Sequence, residues 1–353
     1  MSVKKNSSEP EMLRLGGQSF APGSSGTVEL TVGHMIDHQP LSMTVHVHRG
    51  RRAGPCLLVS AGIHGNEICG VESLRLLLKM RLLKGLRGDL IVVPVVNMPA
   101  FMARSRYLPD RRDLNRLFPG SSKGSLGGRL ASLFMEEVVG QCSHAVDMHS
   151  GAINRPNLPQ IRISPGDEVA MGLALAFRVP VVIESPVREG TLRQVLFTKK
   201  IPSLLFEAGE AGRLDHASVR YGVRGLVSVM RSLSMLPKER KPDTIRRAKT
   251  VVAQETYWER APMGGIFTPR TELGKAVASE EVLGIVADPF GRAECKVVAR
   301  ESGVVIGCSR DAAVDEGDAL FHIALTQYPD KAERQIQRSS RVIANSLESH
   351  YTG

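Results

Sequence analysis

Aromatic residues are scarce in this sequence: 353 residues include 10 Phe, 5 Tyr and a single Trp, together 5%. That scarcity bears on the charge. Lys and Arg number 46 against 36 Asp and Glu, a formal net charge of +10. A nucleic-acid partner would use such a surplus, but it would also want basic residues interleaved with stacking aromatics. They are not interleaved, so the surplus reads as solvated surface and no nucleic-acid partner is expected. Cysteine is also sparse. Cys56, Cys69, Cys142, Cys295 and Cys308 are odd in number, scattered and without a CxxC pair. This argues against a disulfide framework or a thiolate metal knuckle and for free thiols in a reducing, cytoplasmic setting. No apolar run approaches the ~18 residues of a membrane span, so no membrane partner is expected. Met1 to Gly17 carries Lys4 and Lys5 but lacks the apolar stretch of a secretory signal.

The length suits two domains, and 42% hydrophobic with 23% charged residues is ordinary for a globular chain. Residues 1–24 are polar and glycine-rich and read as a flexible tail. Val28, Leu30 and Val32, then Met43, Val45 and Val47, alternate as two strands would. His46 and His48 share the opposite face of the second strand and read as solvent-facing rather than as metal ligands. Cys56 to Ser60 and Asp89 to Val96 are unbroken apolar runs, as in strands covered on both faces. Helices are expected from Glu67, over 128–139, 167–177, 190–198 and 215–233. Further strands are expected at 144–148, 160–164, 181–184 and 203–207. This alternation predicts an α/β fold, a mixed β-sheet flanked by helices over residues 25–240. Lys238 to Thr244 is charged and holds a proline, as a linker would. Between 250 and 326, short β-like runs broken by glycine predict a small C-terminal β-barrel or sandwich domain. Residues 327–353 are a polar tail or a surface helix, with Ile336, Ile343 and Leu347 as a weak stripe.

One heptapeptide organises the rest: Gly62-Ile63-His64-Gly65-Asn66-Glu67-Ile68. A strand ends, the chain turns on two glycines and a helix begins, so His64 and Glu67 can point at one spot. An imidazole and a carboxylate suit zinc, and a catalytic zinc needs a third protein ligand with one position left open. His149, in Asp147-Met148-His149-Ser150, is the candidate. Asp147 shares a strand face with it and is placed to accept a hydrogen bond from a ligand histidine; His64 is the expected partner. Glu207 ends an apolar strand and is the expected proton shuttle, with Glu210 as its rival. Asn115 and Arg116 join an amide to a guanidinium in an Arg-rich loop, a pairing that can grip a carboxylate. Arg104 and Arg111 read as solvated.

GIHGNE, DLNRLFPG, DMHS and FEAGE stand in the order seen in the succinylglutamate desuccinylase/aspartoacylase family, relatives of the zinc carboxypeptidases. The sequence resembles that family over roughly residues 40 to 235. The resemblance implies a zinc carboxypeptidase-like fold and one zinc ion held by His64, Glu67 and His149. It implies Glu207 as general base and acid, and Asn115 with Arg116 on a substrate carboxylate. It also implies Arg106, in Arg106-Tyr107, as the group that polarises the scissile carbonyl. The expected activity is hydrolysis of the N-acyl amide of a small carboxylate-bearing amine or amino acid. A metallocarboxypeptidase and a non-catalytic zinc-binding homologue are the alternatives. The C-terminal domain resembles a biotinyl/lipoyl-type sandwich, but the expected hairpin, Ala287 to Gly291, offers no carrier lysine, and Lys296 sits inside a β-like run. Covering the mouth of the site, or a contact in a homo-oligomer, is the expected role.

Overall fold

The computed structural model describes residues 12–238 and 249–345. Most of the expected linker and Leu347 lie outside them. The chain opens with a hairpin, β1 (Leu13–Leu15) and β2 (Gln18–Phe20). Over residues 12–24 this corrects the expected flexible tail, whose first eleven residues lie outside the described ones: Leu13, Leu15 and Phe20 are buried in the core beside Val28 and Leu30. Three apolar anchors outweigh a polar average that blurred them.

β3 (Ser25–His34) and β4 (Pro40–Arg49) pair antiparallel. β5 (Cys56–Ala61) leads into α1 (Ile68–Leu78), and β6 (Asp89–Val93) into the short α2 (Met98–Met102). After the Arg-rich loop come α3 (Leu126–Leu133), β7 (His144–Gly151), β8 (Asn157–Ile163) and α4 (Glu168–Phe177). Next are β9 (Val181–Glu184), α5 (Leu192–Thr198), β10 (Ser203–Glu210) and α6 (His216–Ser232). Polar caps start the later helices: Asp167 accepts from the Ala170 amide, and Asp215 from the Ala217 and Ser218 amides.

The sheet is mixed, as expected. β6, β5, β7 and β10 are mutually parallel neighbours, whereas β4 and β8 run antiparallel to β6 and β10. One face packs on α1, α4 and α6 through residues such as Leu74, Phe177 and Leu226. The other packs on α3 and α5 through Leu130, Leu192 and Leu196. Covering on both faces explains why β5 and β6 show no alternation.

β11 (Val251–Ala253) adds a parallel edge strand to β9. The remaining strands are β12 (Thr256–Arg260), β13 (Gly265–Pro269), β14 (Ala276–Val277), β15 (Val282–Ala287), β16 (Glu294–Val298), β17 (Gly303–Cys308), β18 (Ala313–Val314) and β19 (Ala319–Leu325). β13, β15, β16 and β18 form a separate four-stranded sheet. β12, β19 and β17 join the main sheet where Gly307 pairs with Asn157. The last segment is α7 (Pro329–Asn345), which buries Ile336 and Ile343 and meets α6 through Tyr221 Oη and Ser339 Oγ at 2.8 Å.

The C-terminal segment thus completes the core of the first part: Leu158, Val181 and Ile183 are buried with Val304, Ile306 and Ala324. Leaving a side chain of this kind in water costs about 1.5–3 kcal/mol. A chain ending at Lys238 should therefore lose its cooperative thermal transition. A truncated protein that melts at the full-length temperature would contradict this.

Candidate metal centre

β5, β7 and β10 lie side by side and run the same way, so residues at their carboxyl ends gather along one edge of the sheet. His64 comes just after β5, His149 lies in β7, and Glu207 sits in β10 directly opposite His149. Two glycines shape the turn. Gly62 has φ +63°, where a side chain would be strained, and a Cβ on Gly65 would fall 1.9 Å from the Ala100 carbonyl carbon.

Glu67 occupies the N-cap position of α1 but caps nothing with its side chain. One oxygen lies 2.7 Å from His64 Nδ1 and accepts from Arg106 at 3.3 Å. The other lies 2.9 Å from His149 Nδ1 and accepts the Ser150 amide at 3.0 Å. Each imidazole turns its far nitrogen to a second carboxylate. His64 Nε2 meets Asp113 at 3.0 Å, and His149 Nε2 meets Asp147 at 2.8 Å. This corrects the expected pairing of Asp147 with His64. Residues 147 and 149 share a strand face, so the carboxylate reaches its own strand's histidine first; Ser60 Oγ holds its other oxygen at 2.8 Å.

The donor set fits a metal ion. His64, Glu67 and His149 are buried, and one ligand atom from each lies within 4.8 Å of the others. With Nε2 engaged by carboxylates, Nδ1 of each ring is the atom left for a metal, and its tautomer is fixed from behind. Burial alone would keep Glu67 protonated, but His64 and His149 overcome it and hold the carboxyl below the usual range. Burial likewise opposes charge on His149, and Asp147 with Glu67 overcomes it and raises the ring's pKa.

These groups floor a cavity of about 600 Å³, the size of a small-molecule site. Arg106, Asn115, Arg116 and Glu207 line it. Arg106 is steadied by a second hydrogen bond, donating to Asp113 at 3.0 Å. Asn115 Oδ1 accepts the Leu192 amide at 3.0 Å, which fixes the side chain in the wall. Glu207 accepts from Asn157 Nδ2 at 2.8 Å, and burial raises its carboxyl pKa. Glu210, the rival, points elsewhere and pairs with Arg213 and Arg310 at 2.7 and 3.1 Å. Arg104 and Arg111 are exposed and do not line the cavity.

Sequence reasoning missed the role of Asp113, although the residue stands in a singled-out motif. It also missed Arg162, Arg193, Asn157 and Trp258, which all line the cavity. Arg162 had an alternating strand as its signal; Trp258, on β12, had none. Trp258 stacks on His322 with ring centres 4.5 Å apart and planes 7° from parallel.

Comparison with known proteins identifies the class. The chain belongs to the succinylglutamate desuccinylase/aspartoacylase family: the family's catalytic-domain model matches residues 53–233. Within it, the chain is 25% identical over 287 residues to the N-alpha-acetyl-L-2,4-diaminobutyric acid deacetylase of Halomonas elongata, covering 78% of this chain and 83% of that one. A succinylglutamate desuccinylase of Burkholderia cenocepacia is 33% identical over 31% of this chain and 34% of its own length. Among solved structures, the product-bound ectoine utilization protein EutE (DoeB) of Ruegeria pomeroyi superposes with a TM-score of 0.76 at 25% identity, over 86% of this chain and 95% of that one. A succinylglutamate desuccinylase/aspartoacylase of Rhodobacter sphaeroides gives 0.75 at 24%, over 85% and 94%; at that identity it speaks for the fold.

Burial, helped by the charge of Arg162, pushes the His322 pKa from 6.5 down to about 3. The folded state therefore binds its proton less well than the unfolded state. Stability present above pH 6.5 should fall as the pH drops toward 3, by a few kcal/mol at most for a shift of this kind (about 1.4 kcal/mol per unit). His322→Phe keeps a ring against Trp258 and removes the titration. Acid unfolding curves should lose that part of their slope in the variant; identical slopes would show that His322 is not the group responsible.

Proposed function

We propose that the chain is a zinc-dependent amidohydrolase that removes a small acyl group from a carboxylate-bearing amine or amino acid. The observation that carries this is the convergence of His64, Glu67 and His149 beneath a cavity whose wall holds Glu207. Family membership supports it, as does the deacetylase relative. The resemblance in sequence motifs extends the reading to a zinc carboxypeptidase-like scaffold.

A zinc ion held by His64 Nδ1, Glu67 and His149 Nδ1 would supply an activated water and polarise the amide carbonyl. The rest falls to the chain's own groups. Glu207 takes the proton from the attacking water and hands it to the departing amine. Burial raises its pKa above the usual carboxylate value, which suits a group that must both accept and release a proton. Asn157 holds one carboxylate oxygen, so the proton moves through the other. Arg106 faces the same pocket and stabilises the negative charge that develops on the carbonyl oxygen. Asn115 and Arg116 grip the substrate carboxylate. Burial lowers the Arg116 pKa, with the charges of Arg188 and Arg106 adding to it. An anion arriving there relieves that crowding.

The metallocarboxypeptidase alternative uses the same chemistry on peptide ends. Trp258, from the C-terminal segment, lines the cavity, and a wall there favours small substrates over peptides. In the described residues no helix is long and apolar enough to cross a membrane, and all five cysteines are free. Free thiols are what a cytoplasmic enzyme would carry.

The test has two parts. Purified protein should hold about one zinc per chain, consistent with a single three-residue ligand set. Glu207→Gln should keep the metal but lower kcat by about 10²–10⁴, the usual worth of a positioned proton shuttle. Because the base works ionised, wild-type activity should fall as pH drops through a pKa above 4.5, and Glu207→Gln should lose that limb. A metal-free active enzyme, or a fully active Glu207→Gln, would sink the proposal.

A further inference from the structure

Glu207 is joined to the C-terminal segment through one side chain, Asn157. On β8, Leu158, Gln160 and Arg162 share a face by strand alternation. Gln160 lies opposite Glu207, so that face is the one Glu207 is on. Asn157 stands three residues before Gln160 and would face the other way in a regular ladder. A bulge turns it round: the two steps along β10 from Glu207 to Gly209 span three along β8, from Gln160 to Asn157. The amide comes back to the Glu207 side, where Nδ2 donates to Glu207 Oε2 at 2.8 Å. Among the described residues, no other side chain hydrogen-bonds Glu207.

The other end of the amide belongs to the C-terminal segment. Gly307, on β17, pairs with Asn157, and this is the residue pair by which β17 joins β8. A Cβ on Gly307 would fall 3.1 Å from Asn157 Oδ1 and 3.2 Å from His322 Cβ, both tighter than ordinary contact. The amide thus rests against bare backbone, and a methyl group there would push it. The stretch before Asn157 is tied to the same part of the chain. Asn154 Nδ2 donates to Asp311 at 2.7 Å, the Asn154 carbonyl accepts the Arg310 amide at 2.7 Å, and the Pro156 carbonyl accepts the Cys308 amide at 3.4 Å.

We infer that the C-terminal segment aims the Glu207 carboxylate through Asn157, with Gly307 as the seat of the Asn157 amide. The inference rests on the amidohydrolase reading and adds Asn157 and Gly307 to it as positioning residues. An Asn side chain has an acceptor end and a donor end in one plane, so holding the first fixes the second. A carboxylate fixed by one oxygen presents the other at a set angle to the attacking water. Misplacing such a group by about 1 Å can cost on the order of a hundredfold in rate. The role is in the chemical step, so the loss falls on kcat rather than on KM.

The test is a double-mutant cycle on kcat in zinc-loaded, full-length protein. The probe is the best-cleaved of N-acetyl-L-alanine, N-acetyl-L-glutamate, N-succinyl-L-alanine and Nα-acetyl-L-2,4-diaminobutyrate. Asn157→Ala should lower kcat by roughly ten- to a hundredfold and leave KM within about twofold. Gly307→Ala should lower kcat by roughly three- to tenfold. In the Asn157→Ala background it should change kcat by less than about twofold, because the amide it displaces is gone. A crystal structure of Gly307→Ala should show Asn157 and the Glu207 carboxylate shifted together, with His64, Glu67 and His149 in place. Asp311→Ala cuts the tie to Asn154 and serves if Gly307→Ala does not fold; its effect on kcat should likewise vanish in the Asn157→Ala background. Effects that multiply in the double variant, or losses that appear in KM with kcat kept, would overturn the inference and leave the amidohydrolase reading standing. So would wild-type kcat in the C-terminal variant. No hydrolysis of any probe by the wild-type enzyme would count against the amidohydrolase reading itself, and the inference would fall with it.

Discussion

The Glu67 carboxylate is the point on which the site depends. It sits buried between two imidazoles, each backed by a further carboxylate. A lone buried carboxylate would protonate; this one stays ionised because His64 and His149 face it. The imidazoles hold still because Asp113 and Asp147 fix their outer nitrogens. Four elements must therefore be in register: the turn after β5, the start of α1, the loop carrying Asp113 and the end of β7. Parallel pairing of β5 with β7 supplies that register, with Ala61 opposite Met148. The same pairing, continued to β10, brings Glu207 opposite His149. The position of Glu207 is thus a consequence of sheet register, one strand removed from His149.

The C-terminal segment extends this logic. It prolongs the main sheet through β17, adds β11 to its edge and lays α7 on α6. Its contribution to the cavity is the Trp258 ring, set by the His322 beneath it. Arg310, from the same segment, ties down Glu210 at 3.1 Å, which leaves Glu207 as the β10 carboxylate that lines the pocket. A segment that buries core residues of the first part and walls its cavity is poorly suited to swing as a carrier. The hairpin between β15 and β16 accordingly presents Phe290, exposed, and no lysine, while Lys296 lies within β16.

Much of the fold was legible because its physical causes are local. Unbroken apolar runs marked β5 and β6, and Val219, Val223, Leu226 and Met230 marked the buried side of α6. Asp167 and Asp215 cap their helices, which is a local cause as well. The heptapeptide at 62–68 and the pair at 147 and 149 marked ligand candidates by residue type and spacing. What stayed hidden depends on distance in sequence. Which carboxylate backs which histidine is decided by side-chain reach across strands, and spacing alone pointed Asp147 at the wrong ring. The opening hairpin was hidden by polar neighbours around three buried side chains. Arg162 and Trp258 come to line one cavity because β12, β19 and β17 add to the main sheet beside β8, and no local pattern encodes that.

The central claim is that two Nδ1 atoms and Glu67 hold a catalytic metal with Glu207 alongside. Anomalous diffraction from crystals of the purified enzyme, recorded on both sides of the zinc absorption edge, tests it most directly. The account predicts one peak that appears only above the edge, within bonding distance of His64 Nδ1, His149 Nδ1 and a Glu67 oxygen, with Glu207 outside the coordination sphere. A peak bound through Nε2, a peak ligated by Glu207, or zinc found only at another site would contradict it.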